Sequence, residues 1–343
     1  MEYFVLWTTV VLTALLVSIV VFTLLRRVLN DRTDRKMRRI QTLETITPAD
    51  YHYFERHLRN EISTTEPVDV SRYRAMADQS GFADYLRARV ERKRRWKRTL
   101  AVRTLSYLRN PRDVPLFRKV LREETFHPCV YAAGLGLALC GDIESLREIL
   151  KKVYHKEVPN RDLLLSVLYP FGKGAAPAMH RLLDEEFLPV IEACVLVALL
   201  AMFRYREATP TLERMLERSK SVEIKIHVTE ALGLIGDENT RRLLLPLRED
   251  KDFRVRLKAA NSLGLLGGKK EIPEIEKFMR DENWWVRRNA AETLYNIGQA
   301  GRECLKRIAA SEEPGPRSSA KLILEEMRFN RTRWRQRYAG SAA

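Results

Sequence analysis

Glycine is scarce in this chain, 15 of 343 residues, and the four cysteines (Cys129, Cys140, Cys194, Cys304) stand far apart with no CxxC pair and no neighbouring histidine. That spacing forms neither a disulfide framework nor a zinc pattern; it suits a reducing compartment, and each thiol reads as a small buried hydrophobe. No GK[ST] closes a phosphate loop, and Gly134, Gly136 and Gly141 fall on or just after a helical segment. The six histidines show no HxH or HxxxH spacing, and His52 and His57, five apart, do not share a helical face. There is no GxSxG, no kinase motif set and no nucleophile beside a base. Adjacent carboxylates, Glu123 with Glu124 and Asp184 with Glu185, fall at helix ends and read as solvated surface. These absences point away from an enzyme: no catalytic residue, cofactor or metal ligand is expected.

One absence is local. Residues 3–25 contain no charge over 23 positions. A helix of that length, at about 1.5 Å per residue, exceeds a ~30 Å hydrocarbon core. A cleaved signal peptide would begin basic and end at small residues, whereas here Met-Glu opens the run and Arg26-Arg27 closes it. The expectation is an uncleaved transmembrane helix. Glu2 alone lies on one flank, while Arg26, Arg27, Arg32, Arg35, Lys36, Arg38 and Arg39 lie on the other, so the N-terminus faces out and the rest lies in the cytoplasm. Ala14 and Ser18 form a small-xxx-small pair that could receive another transmembrane helix.

The remainder repeats. VTEALGLIG (228–236), AANSLGLLG (259–267) and AAETLYNIG (290–298) align without gaps, placing Gly236, Gly267 and Gly298 in register. The same period joins Gly141 to Gly172, WKRTLAVRTLSYL (96–108) mirrors WVRRNAAETLYNI (285–297), and VALLAMFRY (197–205) keeps the apolar pattern without the glycine. Each unit reads as two helices. In the second, Val255, Ala259, Leu263 and Leu266 form one apolar stripe at helical period, and the closing glycine supplies a stop with positive φ. The short first helices are expected at Thr240–Leu247 and Pro273–Met279. Strand signals are nearly absent, so the fold class is all-α, with about seven helix pairs over 91–311.

Upstream, 26–90 reads as a juxtamembrane basic segment and helical stalk or cap. It has a helix start at Thr47-Pro48-Asp50, and FADYLRARVERKRRWKR is expected to run helically into the first repeat. Downstream, EEPGP breaks the pattern before a capping helix at 312–327 and a basic tail at 328–343.

The segments DKDFRVRLKAANSLGLLG and DENWWVRRNAAETLYNIG resemble the short bacterial HEAT repeats, also called lyase-type HEAT-like repeats. The resemblance is strong over 219–311, weaker back to Leu100 and absent before that. It implies an α-solenoid with second helices on a concave face, and a stacking ladder in which Asp250 and Asp281 work with Arg256 and Arg287. Joined to the anchor read from residues 3–25, it implies an adaptor or scaffold at the bacterial inner membrane that binds a protein partner, by analogy an accessory to a membrane enzyme such as a glycosyltransferase. The partner-binding positions opposite the apolar stripe are Glu223, His227, Glu230, Arg254, Lys258, Asn261, Trp285, Asn289 and Glu292, with Trp284 in the usual packing position.

The net charge of +16 is uneven. Eight cations fall between Arg87 and Arg98 against Glu91 alone, and the tail carries Arg328, Arg331, Arg333, Arg335 and Arg337 with Phe329, Trp334 and Tyr338. Such clusters can hold anionic lipid, an acidic partner or nucleic acid. The expected lipid-facing residues are Arg26, Arg27, Arg331, Arg333, Trp334 and Arg335, with the tail unfolded until bound. Nucleic-acid binding by a basic surface is the rival reading. Against it stand the mixed signs on the second-helix positions and the position of the densest basic run in the cap.

Overall fold

The computed structural model describes residues 46–62, 69–153, 161–185 and 188–338, all helical or turn, with no strand among them. The expected membrane span and Arg26 and Arg27 lie outside these residues. Among the described residues no helix is long and apolar enough to cross a membrane. The most apolar of the described helices, Val190–Met202, has 13 residues and would extend only about 20 Å.

The chain divides into two compact units, Met1–Val153 and Tyr154–Ala343. The first contains α1 (Tyr51–Ile62), α2 (Val70–Gln79), α3 (Phe82–Val90), α4 (Arg95–Leu108), α5 (Val114–Glu123), α6 (His127–Leu139) and α7 (Leu146–Val153). A capping box between Thr47 and Asp50 starts the chain into α1, as the sequence suggests. Helices α1, α2 and α3 all pack on α4, which in turn packs on α6. The joint is apolar: Phe54 meets Phe82 edge-to-face at 5.1 Å, and Leu58, Leu86 and Leu105 are fully buried.

The helix expected to run unbroken through 82–98 is interrupted. α3 ends at Val90 and α4 begins at Arg95, with a turn between. With the break the two helices pack together, and Leu86 and Val90 on one and Ala101 and Val102 on the other are all buried. A continuous rod would leave one of these faces in water, at roughly 1.5–3 kcal/mol per large side chain. Arg98 holds the turn by donating from Nε and Nη2 to the Arg92 carbonyl at 3.3 and 3.1 Å.

The second unit contains α8 (Arg161–Leu168), α9 (Ala176–Glu185), α10 (Val190–Met202), α11 (Thr209–Arg218), α12 (Val222–Ile235), α13 (Arg241–Leu244), α14 (Phe253–Gly267), α15 (Ile272–Phe278), α16 (Trp284–Asn296), α17 (Gln299–Ala309) and α18 (Pro314–Tyr338). Second helices α10, α12, α14, α16 and α18 stack each on the next, and each carries its own first helix, α9, α11, α13, α15 and α17. Proline stands in the first turn of α11 and α15, where a missing N–H costs little. Ser221, Asp252 and Asn283 cap α12, α14 and α16 with their side chains, one repeat apart. Val255, Ala259 and Leu263 are fully buried, and Leu266 is half-buried at the end of the stripe.

Two expectations change. The closing glycines do end their helices, and Gly141, Gly172 and Gly298 have the expected positive φ, +72°, +69° and +110°, but Gly236 and Gly267 do not, with φ −65° and −113°. Gly236 is required for space instead, because a Cβ there would sit 2.4 Å from the Leu232 carbonyl oxygen. The last helix also does not stop near residue 327. α18 continues to Tyr338, for no glycine or proline follows Pro316 within it and arginine is a strong helix former. It packs on α16 and α17 as the second helix of one more pair, rather than as a separate cap followed by an unfolded tail. The side chains of Arg331, Arg333, Trp334 and Arg335 lie outside the described residues.

The close approach of α12 to α14 generates a test. A methyl at Gly233 would stand 2.5 Å from Ser262 Cβ and 2.6 Å from its Cα. Glycine-to-alanine inside a helix ordinarily gains up to about 1 kcal/mol. Here Gly233→Ala is expected to cost about 1–3 kcal/mol as the helices separate, lowering the melting temperature by several degrees. Gly174→Ala, where the added methyl meets nothing within 4 Å, is expected to leave it unchanged. Calorimetry of the three proteins reads the sign.

Candidate functional site

The second helices present one side to their first helices and two flanks to their neighbours, leaving a fourth side facing outward. Ionic contacts one repeat apart lock these flanks. Lys225 on α12 reaches Asp250 at 2.7 Å, and Arg256 on α14 reaches Asp281 at 2.7 and 3.0 Å. In the first unit, Arg98 on α4 pairs in the same way with Glu124. Each carboxylate also accepts from the backbone where the next second helix begins. Asp250 takes the Asp252 N–H, Asp281 the Asn283 N–H, and Glu124 those of Thr125 and Phe126. The ladder expected from the resemblance therefore exists with a different register. Asp250 is held by Lys225, and Arg287 donates to the carbonyls of Asp281 and Glu282 instead of a carboxylate.

The ladder positions an aromatic pair. Arg256 fixes Asp281; Asp281 fixes Asn283; the Asn283 side chain then accepts the Trp285 N–H at 2.9 Å to open α16. Trp285 is 55% exposed and Trp284 40%. Their rings meet edge-to-face at 4.6 Å. Trp284 is thus not the buried packing residue expected of it. Arg288 lies 6.0 Å from its ring centroid and reaches Glu326 on α18 at 2.9 Å. The pair stands out in water with its neighbouring cation tied down.

The other expected partner-binding residues are mostly engaged within the protein. Glu223 pairs with Arg254 at 3.0 Å, and Arg254 also binds Asp252. Lys258 pairs with Glu230 at 2.9 Å. His227 is half-buried beside Arg161, whose Nη1 lies 2.7 Å from its Nε2. Burial first, and then the Arg161 charge, hold the imidazole below its usual pKa. Asn261 and Leu265 continue the Arg254–Lys258 face of α14 outward, Leu265 exposed. Asn289 shares the Trp285 face of α16 and keeps a buried Oδ1 without a hydrogen-bond partner. Glu292 lies one turn further on. Sequence reasoning missed Trp284, Leu265 and Arg161. The first two carry a signal in helical spacing, but the 66-residue separation of Arg161 from His227 carries none.

Chemistry of other kinds has little foothold. Burial pushes the thiols of Cys129, Cys140 and Cys194 up to about 11, so they remain protonated at neutral pH. Among the described residues no three His, Cys, Asp or Glu side chains converge to hold a metal ion. The clefts are surface creases, such as that of about 580 Å³ lined by charged residues of the ladder, Arg248 to Glu282.

Residues 241–325 match the family of HEAT repeats. No curated protein matches the chain. Similar solved structures include the complex of CpcE and CpcF of phycocyanin lyase from Nostoc sp. PCC7120, at 20% identity over 71% of this chain and 87% of that one, with a TM-score of 0.33. An engineered protein aligns at 16% identity over 84% and 86% with a TM-score of 0.36. Human deoxyhypusine hydroxylase in complex with glycerol aligns at 15% over 71% and 95% with a TM-score of 0.29. Overlaps of this extent carry nothing further to this chain.

The ladder has a pH signature. Partial burial alone would raise the pKa of Asp250, but the Lys225 ammonium and the Asp252 N–H outweigh it and hold the carboxyl below the usual range. For Glu124, burial is likewise outweighed by the Phe126 N–H and Arg98. A carboxylate depressed in the folded state adds stability above its unfolded pKa and loses it as pH falls through the folded value. The urea midpoint is therefore expected to hold near neutrality and fall below about pH 5. Lys225→Met should start lower at pH 7 and fall less steeply. An equal slope in both proteins would remove the ladder from the account.

Proposed function

We propose that this chain is a membrane-tethered HEAT-repeat scaffold, and that the outward side of its second helices, centred on Trp284 and Trp285, holds a protein partner near the bilayer. The observation that carries the reading is the exposed tryptophan pair itself. Tryptophan buries a large area at low entropic cost, and exposed tryptophans are frequent anchors at interfaces. Leu265, Asn261 and Asn289 extend the same side, and the glutamate–arginine and glutamate–lysine pairs around it form a polar rim rather than a charged field. A nucleic acid would want unpaired cations along this side, whereas Arg254 and Lys258 each already hold a glutamate.

The tether is the uncharged run at residues 3–25, with the basic flank holding the repeats on the cytoplasmic side of a bacterial inner membrane. Partners of the kind this architecture suits are membrane enzymes, glycosyltransferases among them, for which the chain would be an accessory rather than a catalyst. Arg26, Arg27, Arg331, Arg333, Trp334 and Arg335 would add contacts to anionic lipid.

A photo-crosslinking residue placed in the full chain tests the binding side. At positions 285 and 261 it is expected to capture one and the same protein from native membranes. At Lys277, exposed on the first helix α15, it should capture none. Capture from position 277 alone would place the partner on the opposite side and overturn the reading.

A further inference from the structure

The turn between α3 and α4, together with the first three residues of α4, exposes seven consecutive residues, Glu91 to Lys97. Trp96 at its end is 71% exposed, the most exposed of the large apolar side chains described. Arg98 folds back to the Arg92 carbonyl and to Glu124, so the turn has a held shape. Glu91, the one acid, is tied to Lys119 at 3.3 Å. Among the described residues Arg92, Lys93, Arg94, Arg95 and Lys97 have no carboxylate partner, and Arg95 instead leans over the Phe126 ring at 5.9 Å. The same ring meets Trp96 edge-to-face at 5.0 Å. Elsewhere in the unit, cations have carboxylates one repeat away: Arg118 holds Asp142, and Arg122 reaches Glu148 at 3.1 Å. What sets these five cations apart is that they are consecutive in the chain but for one residue, and that residue is an exposed indole.

We propose that the turn and the opening of α4, residues 92–97, dock on an anionic bilayer surface, with the cations at the lipid headgroups and the Trp96 indole at the interface. Charge complementarity names the occupant, and tryptophan is enriched at the headgroup level of membranes because its ring is amphipathic. A single-stranded nucleic acid would need a basic groove beside the stacking ring. The cleft next to the turn, about 220 Å³, is no such groove: it is lined by Glu91, Glu123 and Glu124, and its two cations, Lys119 and Arg98, are already paired with Glu91 and Glu124. A convex basic tip with one aromatic suits a flat, diffuse field of negative charge. The proposal shares with the preceding reading a chain held at a membrane, but not its protein-binding side.

The test uses the full chain reconstituted in nanodiscs of phosphatidylcholine, with or without phosphatidylserine, containing brominated lipid as a fluorescence quencher. The difference between the natural protein and Trp96→Phe isolates the Trp96 signal from the other four tryptophans. With phosphatidylserine, Trp96 emission is expected to shift to the blue and be quenched; in phosphatidylcholine alone it should not. Salt at about 1 M, where the Debye length shrinks to about 3 Å, should reverse the effect. Each of Arg92→Gln, Arg94→Gln and Lys97→Gln should lower the ratio of docked to free turn about fivefold, the equivalent of about 1 kcal/mol per cation. Unchanged circular dichroism checks that these unpaired positions leave the fold intact. Identical Trp96 signals in both disc types overturn the proposal. So does protection of Trp96 by added RNA without any response to phosphatidylserine. If the chain enters neither disc type, the tether fails separately, and co-sedimentation with preformed vesicles then decides the turn: pelleting only with phosphatidylserine supports docking, and no pelleting refutes it.

Discussion

A helix pair of this size cannot bury its own apolar faces, so each pair depends on the next one to cover it. Everything else in the second unit follows from how closely and in what register the second helices meet. Gly233 allows α12 and α14 to touch at Ser262, and a basic residue on one second helix reaches a carboxylate 25 residues on, at the start of the next. Because that carboxylate also takes a backbone N–H at the helix start, the contact sets both spacing and direction. A chain rich in charge thereby becomes a fold: ions that would be worth little as isolated surface pairs are partly buried and hydrogen-bonded to backbone at each join.

This arrangement separates structural charge from surface available to a partner. Glu223, Arg254, Lys258 and Glu230 look like a recognition face when read along one helix, but across helices they satisfy one another. Beside those pairs stand exposed aromatic and apolar side chains, among them Trp284, Trp285 and Leu265 on the second unit, and Trp96 among its cations on the first. The route from Arg256 through Asp281 and Asn283 to the Trp285 N–H makes the aromatic pair a product of the ladder.

Much of the helical plan was legible in the sequence, because a 31-residue period with an apolar stripe leaves few alternatives. Val255, Ala259 and Leu263 are buried where the pattern puts them. The capping series Ser221, Asp252 and Asn283, which the sequence reading did not pick out, shares that period. Positive φ was assigned too widely: Gly236 and Gly298 look alike in the alignment, yet one needs space and the other conformation. Helix ends in basic stretches were also misjudged. The break at Glu91–Arg94 is set by apolar faces that must meet, and the continuation to Tyr338 by the absence of any residue to stop it. The site was only half legible, since which charges remain free depends on cross-repeat pairing that no single helix displays.

The central claim is that ladder ions hold the repeats together while the exposed tryptophans do not. The melting temperature of Trp285→Ala measures this most directly. The account predicts a value within about 2 °C of the natural protein, as for other surface substitutions. A fall of the size expected from a core truncation, several degrees or more, would contradict it and make Trp285 part of the packing.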